Sequence, residues 1–121
     1  MWTPKIISEA EKSFSKFDNS LEIQIVAGIV KVSKNPLPQP LGYGKPLGNK
    51  GNNNLTGFFK IKYKGLGIRV VYALVLDKNI MNILVISRRD DDLCYKLAGE
   101  IYKRYGKEVF EDGFNFFNKN D

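Results

Sequence analysis

Between Phe59 and Lys64 the chain alternates strictly, with Phe59, Ile61 and Tyr63 on one parity and Lys60, Lys62 and Lys64 on the other. Successive side chains of a strand point to opposite faces, so this segment predicts a strand with one apolar side and one side of three ammonium groups. Gly65-Leu66-Gly67 supplies a turn, and Ile68 to Leu76 reads as a second strand rich in β-branched residues. If Tyr63 pairs with Ile68, Lys62 stands directly opposite Arg69 on the basic face. Asp77-Lys78-Asn79 turns the chain again. Ile80 to Ser87 then reads as a third strand, so uniformly apolar that it must be central or covered on both faces.

Helical signals flank these strands. Ser8-Glu9-Ala10-Glu11 has the spacing of a capping box, and Phe14 and Phe17 follow at helical separation, predicting a helix from about residue 9 to 18. Asp18-Asn19-Ser20 reads as a turn. The run Leu21 to Lys34 is ambiguous: Leu21 to Ile25 alternates like a strand, while Leu21, Ile25, Ile29 and Val32 recur at helical spacing. Asn35-Pro36 ends it in either case. Residues 35 to 54 hold four of the five prolines and four of the eleven glycines, which predicts a long loop carrying Lys45 and Lys50. After Arg88-Arg89, the acidic run Asp90-Asp91-Asp92 suits a helix N-terminus, with Leu93, Leu97, Ile101 and Tyr105 as the buried stripe. Phe110, Phe114, Phe116 and Phe117 in the tail are expected to dock on the core.

At 121 residues the chain has room for one domain, residues 1–121, with 106–121 as a C-terminal extension. No apolar stretch reaches the roughly 18 residues of a membrane span and no signal-peptide pattern opens the chain, so a cytoplasmic protein is expected. Cys94 is the single cysteine and there is no histidine, which excludes an internal disulfide, a Cys-cluster zinc site and imidazole chemistry. No metal or cofactor is expected. Catalysis is left to lysine, arginine, tyrosine, carboxylates, hydroxyls or the lone thiol, and without a histidine to activate it Cys94 reads as a packed thiol. Asp90 to Asp92 read as a helix cap rather than a cation site, and Gly65-Leu66-Gly67 lacks the last glycine and the helix of a dinucleotide loop. The formal net charge is +6, and from Ile23 to Leu76 there is no acidic residue, while Lys31, Lys34, Lys45, Lys50, Lys60, Lys62, Lys64 and Arg69 are basic. Such an asymmetry points to a polyanionic partner, nucleic acid ahead of membrane.

Lys45-Pro46-Leu47, Gly57 to Lys62, Gly67-Ile68-Arg69-Val70-Val71-Tyr72, and Ile86 to Asp90 with Tyr95 resemble, in order and spacing, the successive motifs of the RelE/ParE toxin family. The resemblance spans roughly residues 20 to 105. It implies an α+β fold of two N-terminal helices packed on a twisted, largely antiparallel sheet of about four strands, with a C-terminal helix. A short strand from about Thr3 to Ile7 precedes them, and residues 21 to 34 become the second helix. Lys60, Lys62, Arg69, Arg89 and Tyr95 match the five positions of the branch that cleaves mRNA on the ribosome, which the gyrase-inhibiting branch does not need. Asp91 and Asp92 depart from the basic or neutral residues common there. The resemblance further implies a cognate antitoxin protein as partner, besides mRNA and the ribosome, with no membrane.

RNA can be cut without metal when its own 2′-hydroxyl attacks the adjacent phosphate, which needs a proton acceptor, cations for the phosphorane and help for the leaving oxygen. Two cations about 5 to 7 Å apart repel by roughly 2 to 3 kcal/mol at an effective dielectric near 20, enough to give a lysine a minor basic fraction. The resemblance thus casts Lys60 or Lys62 as acceptor, the other lysine and Arg69 as phosphate ligands, Arg89 at the leaving group and Tyr95 against a base. Lys45, Lys50, Lys64 and Arg88 are expected to bind RNA. Two alternatives remain on sequence alone: a gyrase inhibitor of the same fold, and a basic RNA-binding module without catalysis.

Overall fold

The β-branched run becomes the middle of a sheet. In a computed structural model, which describes residues 1–50, 53–88 and 91–112, five strands are ordered β1-β5-β4-β3-β2. They are β1 (Thr3–Ile6), β2 (Lys45–Lys50), β3 (Asn53–Tyr63), β4 (Ile68–Val75) and β5 (Ile80–Arg88). Every residue of β4 is buried. β2 to β5 pair antiparallel and β1 runs parallel to β5, Thr3 opposite Ile80 and Ile6 opposite Ile83. Left-handed backbone closes both inner turns, at Gly67 (φ 65°) after β3 and Asn79 (φ 54°) after β4.

Three α-helices cover the sheet: α1 (Ser8–Phe14), α2 (Asn19–Ser33) and α3 (Asp91–Tyr105), followed by a 3₁₀ turn at Gly106–Phe110. The strand alternation decides which side each takes. Tyr63 donates its hydroxyl to the Ile25 carbonyl at 2.6 Å, placing α2 on the Phe59/Ile61/Tyr63 side. Phe58, of the opposite parity, meets Tyr102 edge-on at 5.6 Å, placing α3 on the lysine side. Cys94 and Ala98 are fully buried, and such small side chains let α3 lie close against the sheet. α1 is tied to the end of α3 by Glu9, whose carboxylate accepts from Arg104 (2.9 Å) and Tyr105 (2.6 Å). Among the described residues no helix is long and apolar enough to cross a membrane.

The α+β architecture stands, with five strands instead of about four. The ambiguous run is helical because the Asp18 carboxylate caps it, accepting from the Leu21 N–H at 2.8 Å. Three local expectations are corrected. The capping box at Ser8 does not form: Ile7 is the N-cap, the Ser8 hydroxyl bonds Glu9 instead, and α1 ends at Phe14 rather than residue 18. The stripe of α3 is rotated by one residue onto Cys94, Ala98 and Ile101, leaving Leu93 exposed. Residues 45–50 and 53–54 of the predicted 35–54 loop are strand, because Leu47, and Leu55 just beyond it, are buried in the core. Pro46 is tolerated there since β2 is an edge strand, and the register shifts between Pro46 and Gly48. Phe110 packs against Phe58 at 5.8 Å, whereas Phe114, Phe116 and Phe117 lie outside the described residues.

Candidate functional site

β3 and β4 pair with Lys62 opposite Arg69 and Lys60 opposite Val71. On its other edge Lys60 faces Lys45 of β2. Four cations from three strands therefore share one side of the sheet, where directly opposed residues have Cβ atoms about 5 Å apart. Like charges so placed are destabilising by themselves, and an anion among them removes that cost. α3 completes the group: the Lys60 ammonium donates to the Tyr95 hydroxyl at 2.9 Å and lies 5.6 Å from the centre of its ring. Helix and strand are thus joined at the basic face by two of the predicted site residues.

Exposure divides the cluster. Lys62 is exposed and Lys60, Lys45 and Tyr95 are half-buried, but Arg69 is only 4% exposed because β4 is flanked on both edges. Its guanidinium donates to the Ile68 carbonyl at 3.4 Å. Burial raises the phenols of Tyr63 and Tyr72 well above the usual range. Both therefore remain hydroxyl donors, Tyr63 to Ile25 and Tyr72 to the Pro36 carbonyl (2.8 Å).

Other predicted residues fall elsewhere. Lys64 follows the end of β3 and sits exposed in the turn, so two lysines, not three, line the strand face. Arg88 pairs with Ile68, on the opposite parity from Arg69, and its guanidinium stacks over Phe17 at 5.6 Å. Lys50 closes the far end of β2, about 15 Å along the strand from Lys45. Arg89 lies outside the described residues. Two residues that the sequence did not single out for a site, Lys31 and Tyr43, come close to the cluster. Together with Lys45, Lys60 and Lys62 they line a groove of about 350 Å³. A larger cavity of about 570 Å³, between Leu37, Phe59, Leu74 and Phe110, is lined among the described residues by no basic side chain.

No family model matches the chain, and no curated protein matches it in sequence. Solved structures do. The isolated E. coli RelE toxin is 19% identical with a TM-score of 0.60, covering 86% of this chain and 98% of its own. A RelBE toxin–antitoxin complex from Mycobacterium tuberculosis is 21% identical, with a TM-score of 0.59 over 73% of this chain and 98% of that one. The archaeal RelE–RelB complex from Pyrococcus horikoshii is 15% identical, with a TM-score of 0.54 over 73% and 94%. The chain has the fold of these RelE proteins.

Proposed function

We propose, from the RelE fold and its cation-lined sheet face, that this chain belongs to the RelE family. In this reading it is the toxin of a toxin–antitoxin pair, an endoribonuclease that cuts messenger RNA during translation. The observation that carries the reading is the strand register, which sets Lys62 opposite Arg69 beside the Lys60–Tyr95 pair. In the proposed reaction the neutral amine of Lys62 takes the proton of the ribose 2′-hydroxyl. The 2′-oxygen bonds to phosphorus, the bond to the 5′-oxygen breaks, and the leaving oxygen takes a proton from water, whose hydroxide is neutralised by the proton that Lys62 gives up as it returns to the free amine. The products are a 2′,3′-cyclic phosphate and a 5′-hydroxyl. Lys60, held by Tyr95, and the planar guanidinium of Arg69 stabilise the extra negative charge of the phosphorane. Arg89 supports the leaving oxygen, and Tyr95 orients a base. The antitoxin partner covers the basic face with an acidic segment or displaces α3. The RelE–RelB complexes among the similar structures support such a partner.

The burial of Arg69 favours a second reading, a basic module that binds RNA without cutting it. Mapping mRNA ends in a bacterial translation extract separates the two. The nuclease reading expects cyclic-phosphate ends inside translated codons, dependent on ribosomes and reduced at least about tenfold by Lys62→Gln or Arg69→Ala. Intact mRNA in the presence of folded protein would overturn it. Salt-sensitive RNA binding would then support the second reading, and arrested DNA supercoiling the gyrase alternative.

A further inference from the structure

The basic face does not stop at the edge of the sheet. β2 leaves β3 at the Lys45–Lys60 pair, so from Ile61 to Tyr63 β3 has β4 on one side and no strand on the other. α2 and the 35–44 loop flank the vacated edge and turn it into the groove of about 350 Å³. Lys31, Lys45, Lys60 and Lys62 line it, and among the described residues no carboxylate does. Its outer wall is Tyr43, 47% exposed, with the Lys31 ammonium 5.8 Å from its ring centre.

The loop that carries this ring is held in place. The Tyr43 N–H donates to Asn35 O (2.8 Å), Gly44 N–H to Leu37 O (2.9 Å) and Gln39 N–H to Gly44 O (2.8 Å). The buried Tyr72 hydroxyl fixes the loop from beneath through Pro36. A Cβ at Gly42 would run into the Leu37 carbonyl, so the loop packs around a position only glycine fills. A half-exposed tyrosine on a fixed loop, beside a run of lysines, has the makings of a single-strand binding site. Unpaired bases stack on the ring and the phosphates follow the cations. The volume lies at the low end of the roughly 300–1,000 Å³ of small-ligand sites, suited to one nucleotide and too small for a duplex.

We propose that this groove is a nucleotide subsite for single-stranded RNA, with a base stacked on Tyr43 and its phosphate held between Lys31 and Lys45. The proposal rests on the RNA reading of the neighbouring lysine face and adds to it a subsite outside the predicted catalytic set. It fixes the path of the strand, which leaves the Lys60–Lys62 face around the open edge of β3 toward α2.

The test is equilibrium binding of the full chain to a fluorescein-labelled, fully 2′-O-methylated RNA octamer, which lacks the attacking hydroxyl and so reports binding apart from cleavage. Tyr43→Ala and Tyr43→Leu are expected to weaken binding about fivefold or more, while Tyr43→Phe stays within about twofold of wild type. Lys31→Gln is expected to lower the slope of log K against log salt by about 0.7, the value of one phosphate contact on a single strand. Equal affinity of Tyr43→Leu and wild type, or an unchanged salt slope in Lys31→Gln, overturns the subsite. Cleavage by the same proteins in the translation extract keeps the two ideas apart. Tyr43-dependent binding without any cleavage overturns the nuclease reading and supports the subsite. Cleavage with Tyr43-independent binding does the reverse.

Discussion

Gly28→Ala turns a favourable helix substitution into a damaging one, and the reason is a single ring. Gly28 lies inside α2, where alanine is intrinsically better by about 0.8–1 kcal/mol. A Cβ there, however, would meet the Tyr63 side chain, 2.5 Å from its hydroxyl oxygen and 2.6 Å from Cζ. Those contacts are too short to keep, so the ring must move and give up its 2.6 Å hydrogen bond to Ile25. Losing that bond costs about 0.5–1.5 kcal/mol. Overpacking at a well-packed site costs about 1–3 kcal/mol more, so after the helix gain the net is a destabilisation of about 0.5–3.5 kcal/mol. Urea unfolding of wild type, Gly28→Ala, Tyr63→Ala and the double variant reads this out as a cycle. In the Tyr63→Ala background the same Gly28→Ala change should stabilise by up to about 1 kcal/mol, a coupling of about 1.5–4.5 kcal/mol. If Gly28→Ala stabilises the wild-type protein, or if its effect is the same in both backgrounds, the close approach of α2 to β3 is misassigned.

Three other outcomes follow from the contacts described. Tyr95→Phe removes the acceptor of Lys60 while keeping the ring, so mRNA cleavage should fall several-fold with little change in the urea midpoint; unchanged cleavage would remove Tyr95 from the site. Burial pushes the Glu9 carboxyl up, but the hydrogen bonds from Tyr105, its own backbone, Ser8 and Arg104 outweigh that and hold it below its ordinary value of 4.5. A carboxyl lowered on folding stabilises fully above its unfolded pKa and loses this contribution as pH falls through the folded one. Wild type should therefore lose more stability than Glu9→Gln between pH 7 and about 3, and parallel losses in urea titrations would contradict it. Buried Asn82 donates to the carbonyls of Val109 (2.9 Å) and Glu111 (3.1 Å), so Asn82→Ala should cost about 1–3 kcal/mol. It should also open residues 106–112 to limited proteolysis, and an unchanged cleavage pattern would show that other contacts hold that segment.

The part of this molecule that could be read from the sequence was the part written in side-chain alternation. The Phe59–Tyr63 pattern and a two-glycine turn were enough to place Lys62 across from Arg69, because strand geometry leaves one register once Tyr63 meets Ile68. β2 escaped because Pro46 and Gly48 interrupt any alternation; only Leu47, buried against the core, marked it. Periodicity alone leaves α2 ambiguous and only the family resemblance makes it a helix, although Asp18 before an apolar periodic run is itself a helix-cap signal. The groove at Lys31 and Tyr43 left no local signal at all. It exists because β2 ends where it does and a loop folds back beside α2, both consequences of tertiary packing.

The parallel pairing of β1 with β5 also orders events in time. Thr3 and Ile80 are neighbours in the sheet but stand far apart along the chain, so β1 has nothing to pair with until β5 has been made. The hairpins β3–β4 and β4–β5 close short loops, whereas β1 must close the longest one, and long-range pairings of this kind form late. During synthesis the first strand to emerge is therefore the last to find its place. Until it does, β5 presents a bare, apolar edge, the kind of surface on which strands of other chains pair.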